Sequence, residues 1–371
     1  MSLSYKKTVE NLLREADIQI NGSRAWDIQV HDERVYAHTL EYGSLGFGEA
    51  YMNGWWDCEA IDEMLTRMFR AHLDERVRGW RIALGVLKAR IFNAQRPSKA
   101  FEIGERHYDI GNDLYEQMLD QRMVYTCGYW KNASTLDEAQ EAKLDLVCKK
   151  IALEPGMRVL DIGCGWGSFA KFAAERYGAR VTGITVSKAQ VAFGNARCKG
   201  LPVELRLQDY REVTGSFDRV VSLGMFEHVG YKNYATFMKI VSGLLPDQGI
   251  FLLHTIGRNT PAHSNDPWID KYIFPNSMLP SVDQIGLAFA GCFVMEDWHN
   301  FGIDYDKTLQ AWHHNFESGW SVLSKNYDER FHRMWRFYLL SSAATFRARR
   351  NQLWQIVLSK DGVHGGHQRL N

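Results

Sequence analysis

The stretch Arg158-Val-Leu-Asp-Ile-Gly-Cys-Gly-Trp-Gly-Ser168 decides the fold. Val159 to Ile162 reads as a short apolar strand. Gly163, Gly165 and Gly167 allow a tight turn and a close approach of a ligand to the backbone, and Phe169 to Tyr177 continues as a helix. A strand, a glycine turn and a helix in that order place a nucleotide-like ligand at the turn. The spacing lacks the third glycine of G-x-G-x-x-G, which argues against a dinucleotide. Asp161 stands at the strand end before the loop, where a carboxylate can bond the ligand.

Outward from this turn the chain alternates strand-like and helix-like pieces, the pattern of an α/β doubly wound sheet with helices on both faces. Apolar runs at 180–186, 203–207, 217–223 and 249–255 predict strands two to five. The runs 293–298 and 353–359 predict strands six and seven, paired antiparallel, giving seven strands in all. A helical insert at about 261–288 is expected to cover the ligand as a lid.

Upstream of a break near Arg96-Pro97-Ser98, a smaller and mainly helical domain is expected over residues 1–95, with the catalytic domain over 96–371. Thr8 to Ala16 reads as a short helix, and Ser44-Leu-Gly-Phe-Gly-Glu-Ala-Tyr51 as a glycine-punctuated turn into another. Val77, Trp80, Leu84, Leu87 and Ile91 form an apolar stripe at helical spacing. From Arg67 to Lys99 nine basic residues (67, 70, 76, 78, 81, 88, 90, 96, 99) face two acids, Asp74 and Glu75. Such a helix suits an anionic bilayer surface, with packing on another helix or across a homodimer interface as the alternative.

A length of 371 residues supports one large core or two domains. Lysine plus arginine equals aspartate plus glutamate at 44 each, so the overall charge offers no footprint for nucleic acid. Met1 to Asp17 has no apolar core of a secretory signal, and the uncharged run Gln284 to Met295 is too short to cross a bilayer. Six cysteines without a C-x-x-C pair read as reduced thiols, fit a cytoplasmic protein and offer no metal site.

The D-x-G-x-G turn resembles that of class I S-adenosylmethionine methyltransferases. Most of these carry an acidic residue at the end of strand two, whereas this chain has Gly183-Ile-Thr-Val-Ser-Lys-Ala-Gln190. Further motifs are His107-Tyr-Asp-Ile-Gly-Asn-Asp113, Tyr125-Thr-Cys-Gly-Tyr-Trp130, Gln208-Asp-Tyr-Arg211, Gly224-Met-Phe-Glu-His-Val-Gly230 and Phe251-Leu-Leu-His-Thr-Ile-Gly257. With them the chain closely resembles cyclopropane-fatty-acyl-phospholipid synthases over nearly its whole length. The related mycolic acid methyltransferases lack the N-terminal domain, so residues 1 to about 95 favour the phospholipid enzyme.

The resemblance implies transfer of a methylene group from S-adenosyl-L-methionine to the cis double bond of an unsaturated phospholipid acyl chain. It implies cofactor contacts at Tyr125, Thr126, Gly163, Gly165, Gly167, Thr185, Gln190, Asp209 and Tyr210, beside Asp161. It also implies a bound bicarbonate as the base that deprotonates a carbocation intermediate. The matching positions are the backbone amides of Cys127 and Ile256, Glu227, a protonated His254, and Tyr305. The expected partner is a phospholipid bilayer with unsaturated chains, met by a peripheral protein on the inner face of the membrane. An ordinary lipid methyltransferase, and a lipid-associated scaffold that keeps the fold, stay open as alternatives.

Overall fold

The computed structural model describes residues 2–77, 111–262 and 264–370. They fall into two compact units, one drawn from Met1–Asn93, His263–Pro275 and Tyr305–Asn351, the other from Ala94–Ala262, Asn276–Asp304 and Gln352–Asn371. The expected boundary near residue 96 and most of the basic stripe of 77–92 lie outside the described residues. Among those described, no helix is long and apolar enough to cross a membrane.

The second unit is built on a seven-stranded sheet: β1 (Arg158–Ile162), β2 (Arg180–Thr185), β3 (Val203–Leu207), β4 (Arg219–Leu223), β5 (Ile250–Arg258), β6 (Val294–Asn300) and β7 (Asn351–Ser359). Their order across the sheet is β3-β2-β1-β4-β5-β7-β6. The first five are parallel, and β6 pairs antiparallel with β7 as expected. Strands buried on both faces need continuous apolar runs, and alternate residues point to opposite sides. Leu160, Val220 and Leu253 thus join one core with Phe237 and Val241, while Val159, Val221 and Leu252 join the other with Val147 and Phe169.

The sheet helices used below are α5 (Asn112–Met118), α6 (Leu136–Lys150), α7 (Ser168–Tyr177), α8 (Lys188–Arg197), α9 (Tyr234–Gly243) and α11 (Val282–Phe289). Helix α6 starts at a capping box, with the Thr135 hydroxyl taking the Glu138 amide and the Glu138 carboxylate returning to the Thr135 amide.

The first unit contains α1 (Ser2–Glu15), α2 (Arg34–Tyr42), α3 (Ser44–Met52), α4 (Ile61–Arg70), α10 (Pro267–Tyr272), most of α12 (Ile303–Leu323) and α13 (Glu329–Arg347). The glycine-rich segment expected as a turn is helix α3 itself. Close packing explains its glycines: a Cβ at Gly46 would lie 2.3 Å from the His38 carbonyl oxygen, and one at Gly48 2.4 Å from the Trp268 ring. Helix α13 packs on α3 and α4. Phe337 sits 5.5 Å from Tyr51 and 6.2 Å from Trp56, which is why these late helices join the N-terminal unit rather than a continuous 96–371 domain. The expected insert at 261–288 divides likewise, α10 packing on α3 and α11 on α9.

Not all of the basic run of 67–99 is free to meet a lipid surface. Arg67 pairs with Asp17 and Glu63 at 2.9 Å each, and Arg76 pairs with Glu15.

Candidate active site

The glycine turn between β1 and α7 takes the left-handed backbone region at all three glycines, with φ of 84°, 54° and 79° at Gly163, Gly165 and Gly167. The amides of Gly163 and Cys164 donate to the Ile184 carbonyl at 2.9 and 3.0 Å, tying the turn to β2. A Cβ at Gly165 would meet nothing within 4 Å among the described residues, whereas one at Gly163 would strike the Met225 side chain at 2.6 Å. Gly165 is therefore the glycine that faces open space. Gly163 accommodates a neighbouring side chain.

Asp161 is buried, and its Oδ2 has no hydrogen-bond partner among the described residues. Burial pushes its carboxyl up to about 7 against the opposing charge of Lys143. At the end of β2 the Thr185 hydroxyl donates to Gln190 Oε1 at 2.7 Å, so these two residues brace one another. Asp209 caps the turn after β3 and holds the Arg211 guanidinium at 2.8 Å. The neighbouring Tyr210 hydroxyl is buried without a partner among the described residues. Tyr125 meets Tyr115 of α5 edge-on at 5.1 Å, and Trp166 of the glycine turn donates to Asn112 Oδ1 at 3.2 Å. Open space before Gly165, an orphaned carboxylate oxygen and an orphaned phenol fit an extended nucleoside with a cationic centre.

Glu227 lies on the turn Phe226–His228 just past β4, and His254 on β5 opposite Leu223. Glu227 Oε1 accepts the Ile256 amide at 2.7 Å, and its Oε2 has no partner among the described residues. Burial pushes this carboxyl up to about 7. The Ile256 N–H expected to serve an anion thus serves Glu227, because a buried carboxylate takes the nearest donor.

Gln355 Nε2 lies 3.3 Å from His254 Nδ1. With Gln355 as donor, the ring proton sits on Nε2, which has no partner among the described residues. Burial first, then the Lys143 and Lys150 charges, hold this imidazole well below the usual histidine range. The expected imidazolium is therefore a neutral ring whose Nε2–H still donates. A buried donor and a buried carboxylate oxygen, each without a partner among the described residues and carried by neighbouring strands, are the two kinds of group that a small anion with a hydroxyl, such as bicarbonate, would need.

A family model described as mycolic acid cyclopropane synthetase matches residues 95–356. The chain is 49% identical over 364 residues to the cyclopropane-fatty-acyl-phospholipid synthase of Escherichia coli K12, covering 98% of this chain and 95% of that protein. The chain belongs to the cyclopropane synthetase family. Among solved structures of this family, the cyclopropane synthase MmaA2 from Mycobacterium tuberculosis superposes with a TM-score of 0.67 at 30% identity, covering 72% of this chain and all 100% of that one. The mycolic acid cyclopropane synthase CmaA1 complexed with SAH and CTAB gives 0.66 at 30% identity, over 70% of this chain and 98% of that one.

In this family member the structure brings Tyr125, Thr126, Cys127, Asp161, the three glycines, Thr185, Gln190, Asp209, Tyr210, Glu227, His254 and Ile256 into the sheet unit. Tyr305 belongs to the other unit, where it stacks on Phe346 at 4.6 Å. Sequence reasoning missed Gln140 and Lys143 of α6, both fully buried, which bond to Thr126. Their signal was two polar residues three apart on the inner face of a helix whose other inward positions, Lys150 at its end excepted, are apolar.

Proposed function

We propose that this chain is a cyclopropane-fatty-acyl-phospholipid synthase that adds a methylene bridge across the cis double bond of an unsaturated phospholipid acyl chain. The observation that carries this reading is two buried orphaned atoms, Glu227 Oε2 in the turn just past β4 and His254 Nε2 on β5 opposite the last residue of β4. An ordinary methyl transfer needs no such pair, whereas ring closure requires a proton to leave the newly added methyl. Similarity to the Escherichia coli enzyme over almost the full length supports the same acceptor class.

S-adenosyl-L-methionine, when bound, supplies an electrophilic methyl to the alkene, and the products are S-adenosylhomocysteine, a proton and the ring. Gly163, Gly165, Gly167, Asp161, Thr185, Gln190, Asp209, Tyr210, Tyr125 and Thr126 are its proposed contacts. Bicarbonate, when bound, supplies the base for the carbocation's methyl. The C–H electrons that remain then close the ring. His254 Nε2–H, the Tyr305 phenol and the Cys127 amide donate to the anion, the Glu227 carboxylate accepts from its hydroxyl, and the Ile256 amide holds that carboxylate in place. Ionised Glu227 also stabilises developing positive charge in a dry site.

The acceptor is met at the bilayer by a cytoplasmic, peripheral protein whose basic segment within residues 1–95 attaches to anionic lipid, with homodimer formation as the competing use of that segment. The test is incubation with unsaturated phospholipid vesicles and labelled S-adenosylmethionine. Labelled lipid that has lost its vinyl proton signals is expected. A labelled water-soluble product, or a methyl-branched lipid, overturns the reading.

A further inference from the structure

Two side chains of α6 converge on one residue of the Tyr125-Thr126-Cys127 segment. Gln140 Nε2 donates to the Thr126 carbonyl at 2.7 Å, and Lys143 Nζ donates to the Thr126 hydroxyl at 2.9 Å. On a third side, Gly224 leaves room for the threonine methyl, since a Cβ there would come within 2.7 Å of Thr126 Cγ2. Thr126 is held by its carbonyl, its hydroxyl and its methyl at once. Its hydroxyl oxygen is engaged by Lys143.

Stability alone does not account for a lysine here. Lys143 is 0% exposed, and burying an ammonium costs more than burying a methionine of similar length. Burial pulls the amine down to about 8, against the favourable charges of Asp120, Cys127 and Asp161. Among the described residues Cys164 feels the Asp161 charge, His254 those of Lys143 and Lys150, and Asp120 that of Asp137. Asp161, next to the last residue of β1, adjoins the glycine turn, and the Lys143 charge favours its ionised form.

We infer that Lys143, assisted by Gln140, is a positioning residue for the cofactor site: it fixes the Tyr125–Cys127 segment against Gly224 and leaves a buried positive charge there that acts on Asp161. The inference rests on the functional reading above. It assigns Lys143 no contact with the cofactor. Losing Lys143 would loosen Thr126 and raise the Asp161 carboxyl further, so that more of it is protonated at neutral pH.

The experiment compares wild type, Lys143→Met, Thr126→Val and the double variant. S-adenosylhomocysteine binding is measured by calorimetry from about pH 6 to about pH 9, with melting temperatures alongside. Lys143→Met should weaken binding about tenfold near neutral pH and move the acid limb of the binding curve to higher pH. Thr126→Val keeps the charge, so it should weaken binding without moving that limb. The double variant should lose less than the product of the two single losses.

Folded variants with unchanged affinity and an unchanged acid limb overturn the inference. So does a limb that stays in place while affinity falls in Lys143→Met. If Lys143→Met does not fold, Thr126→Val decides, and wild-type affinity there overturns the clamp. A wild type that binds no S-adenosylhomocysteine overturns the functional reading itself, and this inference with it.

Discussion

The Ile256 amide donates to Glu227 Oε1 at 2.7 Å, so the end of β5 holds one carboxylate oxygen while the other is buried without a partner among the described residues. This arrangement orients the carboxylate and leaves one oxygen available for a ligand's donor. It also gives the carboxylate a cost of burial that a neutral substitute would not carry.

Glu227→Gln should therefore separate activity from stability. The amide oxygen can keep the Ile256 bond, so cofactor binding should persist while turnover falls at least a hundredfold, about 2.7 kcal/mol. Its folded carboxyl lies near 7 against an ordinary 4.5, so folding favours the protonated form. That contribution is present below about 4.5 and is lost as pH rises through about 7. The variant should accordingly gain melting temperature over wild type at pH about 8 and gain less at pH about 5. Equal melting shifts at both pH values would show that the carboxylate is not held near 7.

The proposed anion base, suggested by the two orphaned atoms, is tested by bicarbonate dependence. Wild-type activity should fall in rigorously carbonate-free buffer and return on adding bicarbonate. His254→Ala and Tyr305→Phe each remove a donor to an anion, about 1 to 3 kcal/mol, and should need roughly tenfold more bicarbonate for half-maximal rate. Because burial keeps His254 neutral, the rate should show no ionisation of that ring near its ordinary value of 6.5. Full activity without carbonate would sink the anion-base mechanism.

The glycine turn offers a paired test. At Gly163 a valine obstructs the cofactor by the sequence argument, but it would also collide with Met225 at 2.6 Å, so Gly163→Val should lower the melting temperature sharply as well as abolish binding. Gly165 has open space among the described residues, and Gly165→Val should cost only about 1 to 2 kcal/mol for its left-handed backbone while losing most S-adenosylmethionine affinity. Melting curves and calorimetry on both variants check this. Normal affinity in folded Gly165→Val would remove the turn from the cofactor site.

Membrane attachment should depend on Arg78, Arg81 and Lys88 rather than on Arg67 or Arg76, whose charges already meet Asp17, Glu63 and Glu15. Reversing the first three to glutamate removes about 1 kcal/mol each, or roughly a hundredfold in affinity for anionic vesicles, with cofactor binding intact. Vesicle sedimentation over a range of salt measures it, and wild-type binding should weaken as ionic strength rises. Salt-independent binding would favour packing of this segment on protein.

The central strands were legible in the sequence because strands covered on both faces require apolar runs, and the turn of 163–167 because left-handed backbone favours glycine. The capping residues of α6 were local signals of the same kind. Tertiary structure alone decided which unit the late helices join, since α13 is amphipathic wherever it packs and it is the rings of Trp268, Tyr51, Trp56 and Phe47 that give its Phe337 a destination. It alone turned Gly46 and Gly48 from turn residues into sites of close helix contact. It also set the charge states of His254, Glu227 and Lys143. Those depend on desolvation and on neighbours far away in the chain, and neither quantity is written in local periodicity.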